Sequence, residues 1–165
     1  MPKSRYLLPL WISFAAALGV QVVLSRVNFY YLDLLTVFLI QAALTRPVPS
    51  SMGAGIAAGL AADTLSGGLF GVHGLVFCLE GYAAARLAQL LVTDTRLLQG
   101  TFLACAACFH LLGVRLVEYV FSGKSAAFNL TDLLLTVAVT ALAGLAALHG
   151  LRSLEAFLER RRYGR

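Results

Sequence analysis

Residues 59–74 read Gly59-Leu60-Ala61-Ala62-Asp63-Thr64-Leu65-Ser66-Gly67-Gly68-Leu69-Phe70-Gly71-Val72-His73-Gly74. Five glycines, one carboxylate and one imidazole stand here between two long apolar runs. Glycine allows left-handed backbone and close approach of another chain segment. In an apolar surrounding, irregular backbone survives only where protein or water covers it. The stretch therefore predicts a covered turn between two helices. Asp63 is expected to hold that turn through backbone N–H groups, with His73 at the start of the helix that follows.

Composition sets the surrounding class. Hydrophobic residues make up 59% of the 165, and charged residues only 13%. A soluble domain is about half apolar and about a quarter charged. The excess predicts an integral membrane protein. A helix crossing about 30 Å of hydrocarbon needs about 20 residues, so six such helices with short loops account for the chain as one membrane domain.

The apolar runs place spans at 6–24, 30–44, 52–65, 72–92, 97–121 and 130–151, with a basic amphipathic tail over 152–165. The first span carries Ala15-Ala16-Ala17, like a signal peptide's cleavage region. Its apolar run continues beyond that point, and an uncleaved anchor is expected. The second span is short, with Tyr30, Tyr31 and Asp33 at one end and Gln41 near the other. Pro47 and Pro49 are expected to break the helix, with Ser50 or Ser51 capping the third. In that third span Gly55 and Gly59 form a small-xxx-small pair, continued by Gly53, Ala57 and Ala61. Such a face admits a neighbouring helix closely, from this chain or another. Thr93 and Asp94 suit the start of the fifth span, and Asn129 with Asp132 the start of the sixth.

The balance of +5 lies at span ends rather than along a soluble stripe, which argues against nucleic acid. With both termini in the cytoplasm, Lys3, Arg5, Arg46, Arg86, Arg96, Arg152, Arg160, Arg161, Arg162 and Arg165 lie inside. Only Arg26, Arg115 and Lys124 lie outside, a ten-to-three division of the 13 basic residues. The positive-inside rule selects this orientation. It turns Asp33, Asp63 and His73 outward.

Few residues invite chemistry. Glu80 lies well inside the fourth span, seven residues from His73 and on the same helix face. A charge at the bilayer centre costs about 2.5–3.5 kcal/mol on insertion scales, so Glu80 is expected to face the bundle interior. A zinc site from Asp63, His73 and Glu80 lacks a further ligand. Ser66 and His73 have the residue types of a serine hydrolase but no dependable geometry across a glycine turn. Cys105 and Cys108 mimic a metal pair, yet they and Cys78 sit in apolar runs as small packing residues. Neither a catalytic set nor a cofactor is expected.

The pattern Gly55, Gly59, Asp63, Gly67, Gly68, Gly71, His73 and Gly74 resembles the rod-shape-determining protein MreD family, with weaker likeness at Asp33-Leu34-Leu35. It departs at Leu32, where that family usually carries Pro, and at Ala62, where a polar residue is common. The resemblance implies a non-catalytic scaffold of bacterial cell elongation in the inner membrane. It implies binding to the single-span protein MreC, and through the complex to RodA, a penicillin-binding transpeptidase and MreB filaments. It further implies a six-helix bundle with short central helices, similar to substrate-binding subunits of energy-coupling-factor transporters. Asp33, Gly55, Gly59, Asp63, Gly67, Gly68, Gly71, His73 and Glu80 are the residues expected to serve partner binding or structure, with Gly55 and Gly59 as the docking pair. The alternative is a small-molecule-binding subunit of a vitamin-type transporter. An unfilled, polar-lined outward pocket would favour it, and a groove filled by side chains would favour the scaffold.

Overall fold

The computed structural model describes residues 7–27, 31–67, 69–90, 96–123 and 129–163. Tyr30, Gly68, Thr93 and Asp94, on which expectations fell, lie outside the described residues. Among those described, the chain is all helical, with α1 Leu7–Arg26, α2 Leu34–Thr45, α3 Val48–Ser66, α4 Val72–Leu90, α5 Arg96–Ser122 and α6 Leu130–Tyr163.

The helices are apolar all round, because there is little polar sequence with which to build a wet face. Large apolar side chains such as Trp11, Phe109, Leu116 and Leu142 are exposed on the outside. Thr36, Ser51, Asp63, Glu80, Gln99, His110, Thr136 and Thr140 are buried inside. Two helical stretches, Leu98–Phe121 and Leu130–Gly150, are long and apolar enough to cross a membrane.

The 12-residue α2 is the axis of the bundle. Nearly every residue from Leu35 to Ala43 is buried. On one side Val37 and Ile40 pack with Ala84, Ala85, Phe102, Leu103 and Leu148 of α4, α5 and α6. On the other side Leu35, Phe38 and Leu39 pack with Ala58 and Phe77, and with Leu10, Phe14 and Leu18 of α1.

The α2–α3 corner corrects one expectation. Pro47 is the N-cap of α3 and Pro49 lies in its first turn, so the helix starts at Val48 rather than at Met52. The first turn has no intrahelical N–H bond to lose, and proline's fixed φ suits it. Ser51 does not cap. Its buried hydroxyl donates to the Ala42 carbonyl at 3.3 Å and ties α3 back to α2. At the far end α6 continues to Tyr163, so the basic segment is part of the helix. Residues 151–163 contain no Gly or Pro, and Leu, Glu, Ala and Arg favour helix.

The pair α3 and α4 is the most intimate in the bundle. A Cβ at Gly55 would collide with the Phe77 carbonyl, and one at Gly59 with the His73–Gly74 backbone. Gly81 answers from α4, where a Cβ would stand 2.6 Å from the Ser51 carbonyl oxygen. The Gly55/Gly59 face is therefore filled by this chain's own α4. The expectation that it docks a partner helix is corrected by that close approach.

These glycines differ in kind from Gly67, which ends α3 in left-handed backbone at φ 63° with open space around its Cα. Gly55→Leu should cost about 3 kcal/mol or more through backbone overlap. Gly67→Val should cost about 1–2 kcal/mol through conformation alone. Thermal unfolding of the two purified variants measures the difference, and equal midpoints would contradict this assignment.

Candidate functional site

The polar residues collect where α1, α3 and α5 end and α2, α4 and α6 begin. Asp33 is the N-cap of α2. Its Oδ1 accepts from the Leu35 and Thr36 N–H groups, each at 3.1 Å, and its Oδ2 from the Thr36 hydroxyl at 2.6 Å. The Leu34 N–H donates to Gln21 Oε1 of α1, and the Asp33 N–H to Thr140 Oγ1 of α6. Val37 N–H completes the first turn on the Asp33 carbonyl. Every orphan donor of the helix start thus has an acceptor, which an apolar interior requires.

Asp63 does the same for the glycine turn, from the end of α3. Its Oδ2 accepts from the N–H groups of Gly71 at 2.8 Å and Gly74 at 3.3 Å. Its Oδ1 accepts from the His73 N–H at 3.0 Å and contacts His73 Nδ1 at 2.9 Å. Gly71, at φ 98°, is the residue that bends the chain around the carboxylate. Asp63 itself is 3% exposed.

A histidine that sequence reasoning passed over joins these parts. His110 of α5 is 6% exposed. Its ring stacks on Phe77 at 4.0 Å and lies 5.6 Å from the His73 ring. Its Nδ1 faces Glu80 Oε2 at 3.4 Å, and its Nε2 faces Asp33 Oδ2 at 3.8 Å. Neither contact has hydrogen-bond geometry: both Glu80 oxygens and His110 Nδ1 are buried without a partner. Asp33, Asp63, His73 and Glu80 are therefore brought into one cluster, with His110 at its centre. The signal for His110 was present, since an ionisable side chain inside a long apolar run is a site candidate by itself. Gly55 and Gly59 lie on the α3–α4 seam below, and Gly67 on the turn above. Among the described residues no three His, Cys, Asp or Glu side chains converge to hold a metal ion.

Beside the cluster opens a cavity of about 230 Å³, lined by polar Gln21, Ser25, Asp33, His73, His110 and Thr136 together with Leu35, Phe77 and Leu111. It follows from the length of α2. Twelve residues span about 18 Å, and the helices around it are longer. The space past its N-terminus is left to side chains. A separate, mostly apolar groove of about 290 Å³ runs between α1, α2 and α3, along Trp11, Phe14, Gly53 and Ala57.

The Asp63 geometry calls for a carboxylate and not an amide. Both carboxylate oxygens face N–H donors, so an amide NH₂ would meet donors with a donor. Asp63→Asn should destabilise by at least about 2 kcal/mol, close to Asp63→Ala, because two buried donors lose their acceptor. Chemical denaturation of both variants checks this, and a near wild-type Asn variant would contradict it.

No curated protein and no solved structure matches the chain. A family model described as rod shape-determining protein MreD matches residues 3–145 of the 165. The chain belongs to the MreD family of rod shape-determining proteins.

Proposed function

We propose that the protein is a non-catalytic membrane scaffold of the bacterial cell-elongation machinery. It holds the single-span protein MreC and thereby supports peptidoglycan synthesis together with RodA, a penicillin-binding transpeptidase and MreB filaments. The family match over residues 3–145 carries this reading. The apolar exterior and polar interior support a lipid surrounding, where a water-exposed patch of this size would be anomalous. The chain is then one domain of six spans in the inner membrane, both termini cytoplasmic, with the basic end of α6 at the anionic leaflet.

The cavity bears on the alternative. Pockets for drug-sized ligands measure about 300–1,000 Å³. The cavity is unfilled and partly polar, as that alternative expects, but about 230 Å³ is small for a vitamin. Its size favours the scaffold over a vitamin-transporter subunit.

Copurification with MreC from native membranes in mild detergent tests the scaffold. Because Gly55 and Gly59 are filled by α4, the informative variant is Gly53→Leu, where an added Cβ meets nothing within 4 Å. A folded Gly53→Leu protein that loses MreC would place the docking groove beside α1. Wild-type protein that never retains MreC would sink the reading. Reporter fusions at Arg165 and within 122–128 should report opposite sides of the membrane. Finding the same side for both would overturn the six-span topology.

A further inference from the structure

The cavity beside α2 carries unmatched charge. Asp33 is the carboxylate of its lining, beside two imidazoles, His73 and His110, while Asp63 and Glu80 stand outside it. Among the described residues no Lys or Arg lines the cavity. With both rings neutral the lining is one positive charge short. Asp63 is satisfied by its backbone donors and His73. Asp33 is not: a carboxylate has about four lone-pair sites, and its three described bonds leave one on the side of His110.

The imidazoles add acceptors. His73 Nδ1 donating to Asp63 leaves Nε2 of the neutral ring as an acceptor. His110 lines the same cavity and is nine-tenths buried, and with the proton of its neutral ring on Nδ1 toward Glu80, its Nε2 beside Asp33 is an acceptor. A bare metal ion is a poor match, because no three ligating side chains converge among the described residues. A proton would neutralise charge but would leave the space unused. Water takes about 30 Å³ per molecule, so about 230 Å³ holds a short organic group rather than one atom. Leu35, Leu111 and Phe77 offer apolar wall for its carbon stem.

We propose that this cavity binds a primary ammonium group on a short carbon stem, held by Asp33 Oδ2 with His73 and His110 as further acceptors. An ammonium brings three donors and one positive charge, which is what the lining lacks. The group can belong to a soluble amine or to the ethanolamine headgroup of a lipid. This site is independent of partner binding, and either can fail without the other.

The test uses the full chain in nanodiscs of phosphatidylglycerol and phosphatidylcholine, which contain no primary amine. Ethylamine should raise the thermal unfolding midpoint, because a ligand of the native state stabilises it. Ethanol, sodium chloride and tetramethylammonium chloride at equal concentration should not. Asp33→Asn keeps the helix cap, since Asn caps as well as Asp, but should weaken binding by about tenfold or more. Asp132→Asn, an exposed acid at the same end, should respond as wild type. Should Asp33→Asn fail to fold, Ala62→Met fills the cavity from α3 and should abolish the response. In a second arm, nanodiscs containing phosphatidylethanolamine are analysed by native mass spectrometry. Retention of that lipid by wild type and its loss in Asp33→Asn identify a headgroup, and a response to ethylamine alone identifies a soluble amine. A rise of equal size with ethanol or sodium chloride overturns the proposal. So does a folded Asp33→Asn that binds as wild type, or the absence of both response and retained lipid.

Discussion

The structure depends on supplying acceptors to backbone N–H groups where helices begin inside the bundle. Asp33 at the head of α2 and Asp63 at the end of α3 each turn both oxygens toward donors at a helix start. A buried backbone donor left without an acceptor costs about 1–3 kcal/mol, so each of these helix starts relies on a side-chain oxygen. With Asp33 in place, α2 can be short and central. With Asp63 in place, the chain can reverse tightly enough for α3 and α4 to touch along their glycines.

That contact explains why small residues, rather than large apolar ones, occupy the middle of the chain. In the lipid surrounding proposed above, helices gain little from burying apolar surface, because the lipid is equally apolar. They associate through close approach and polar contact. Gly55, Gly59 and Gly81 provide the approach, and the Ser51 hydroxyl on the Ala42 carbonyl provides one of the contacts. Two further buried polar groups, Glu80 and His110, face each other without an aligned hydrogen bond. A buried contact of this kind adds little net stability, since desolvation of the two groups opposes their attraction.

Much of this was legible in sequence. Run lengths marked six helices and the short second one, and the glycine cluster marked the turn around Asp63. What escaped did so for physical reasons. The prolines marked the break after α2, but only the chain path shows that Pro47 and Pro49 also begin α3. A small-residue face announces a close neighbour but not which one, and here the neighbour was the next helix. His110 stood alone in its run, and its meaning came from Asp33 and Glu80, 77 and 30 residues away, which no local pattern connects.

The continuity of α6 has a mechanical consequence. Its 34 residues form a rod of about 51 Å, and the segment beyond Gly150 projects about 20 Å past the apolar stretch. Thr140 rests against the head of α2 through Asp33 and Tyr31. Leu148 still packs in the core with Val37 and Ile40, so the free arm runs from there to Tyr163, about 22 Å of unbroken helix. A 10° rocking about Leu148 would thus displace the basic tip by about 4 Å on that rise per residue. Small shifts in the packing of α6 on α2 would be amplified at the far end of the rod.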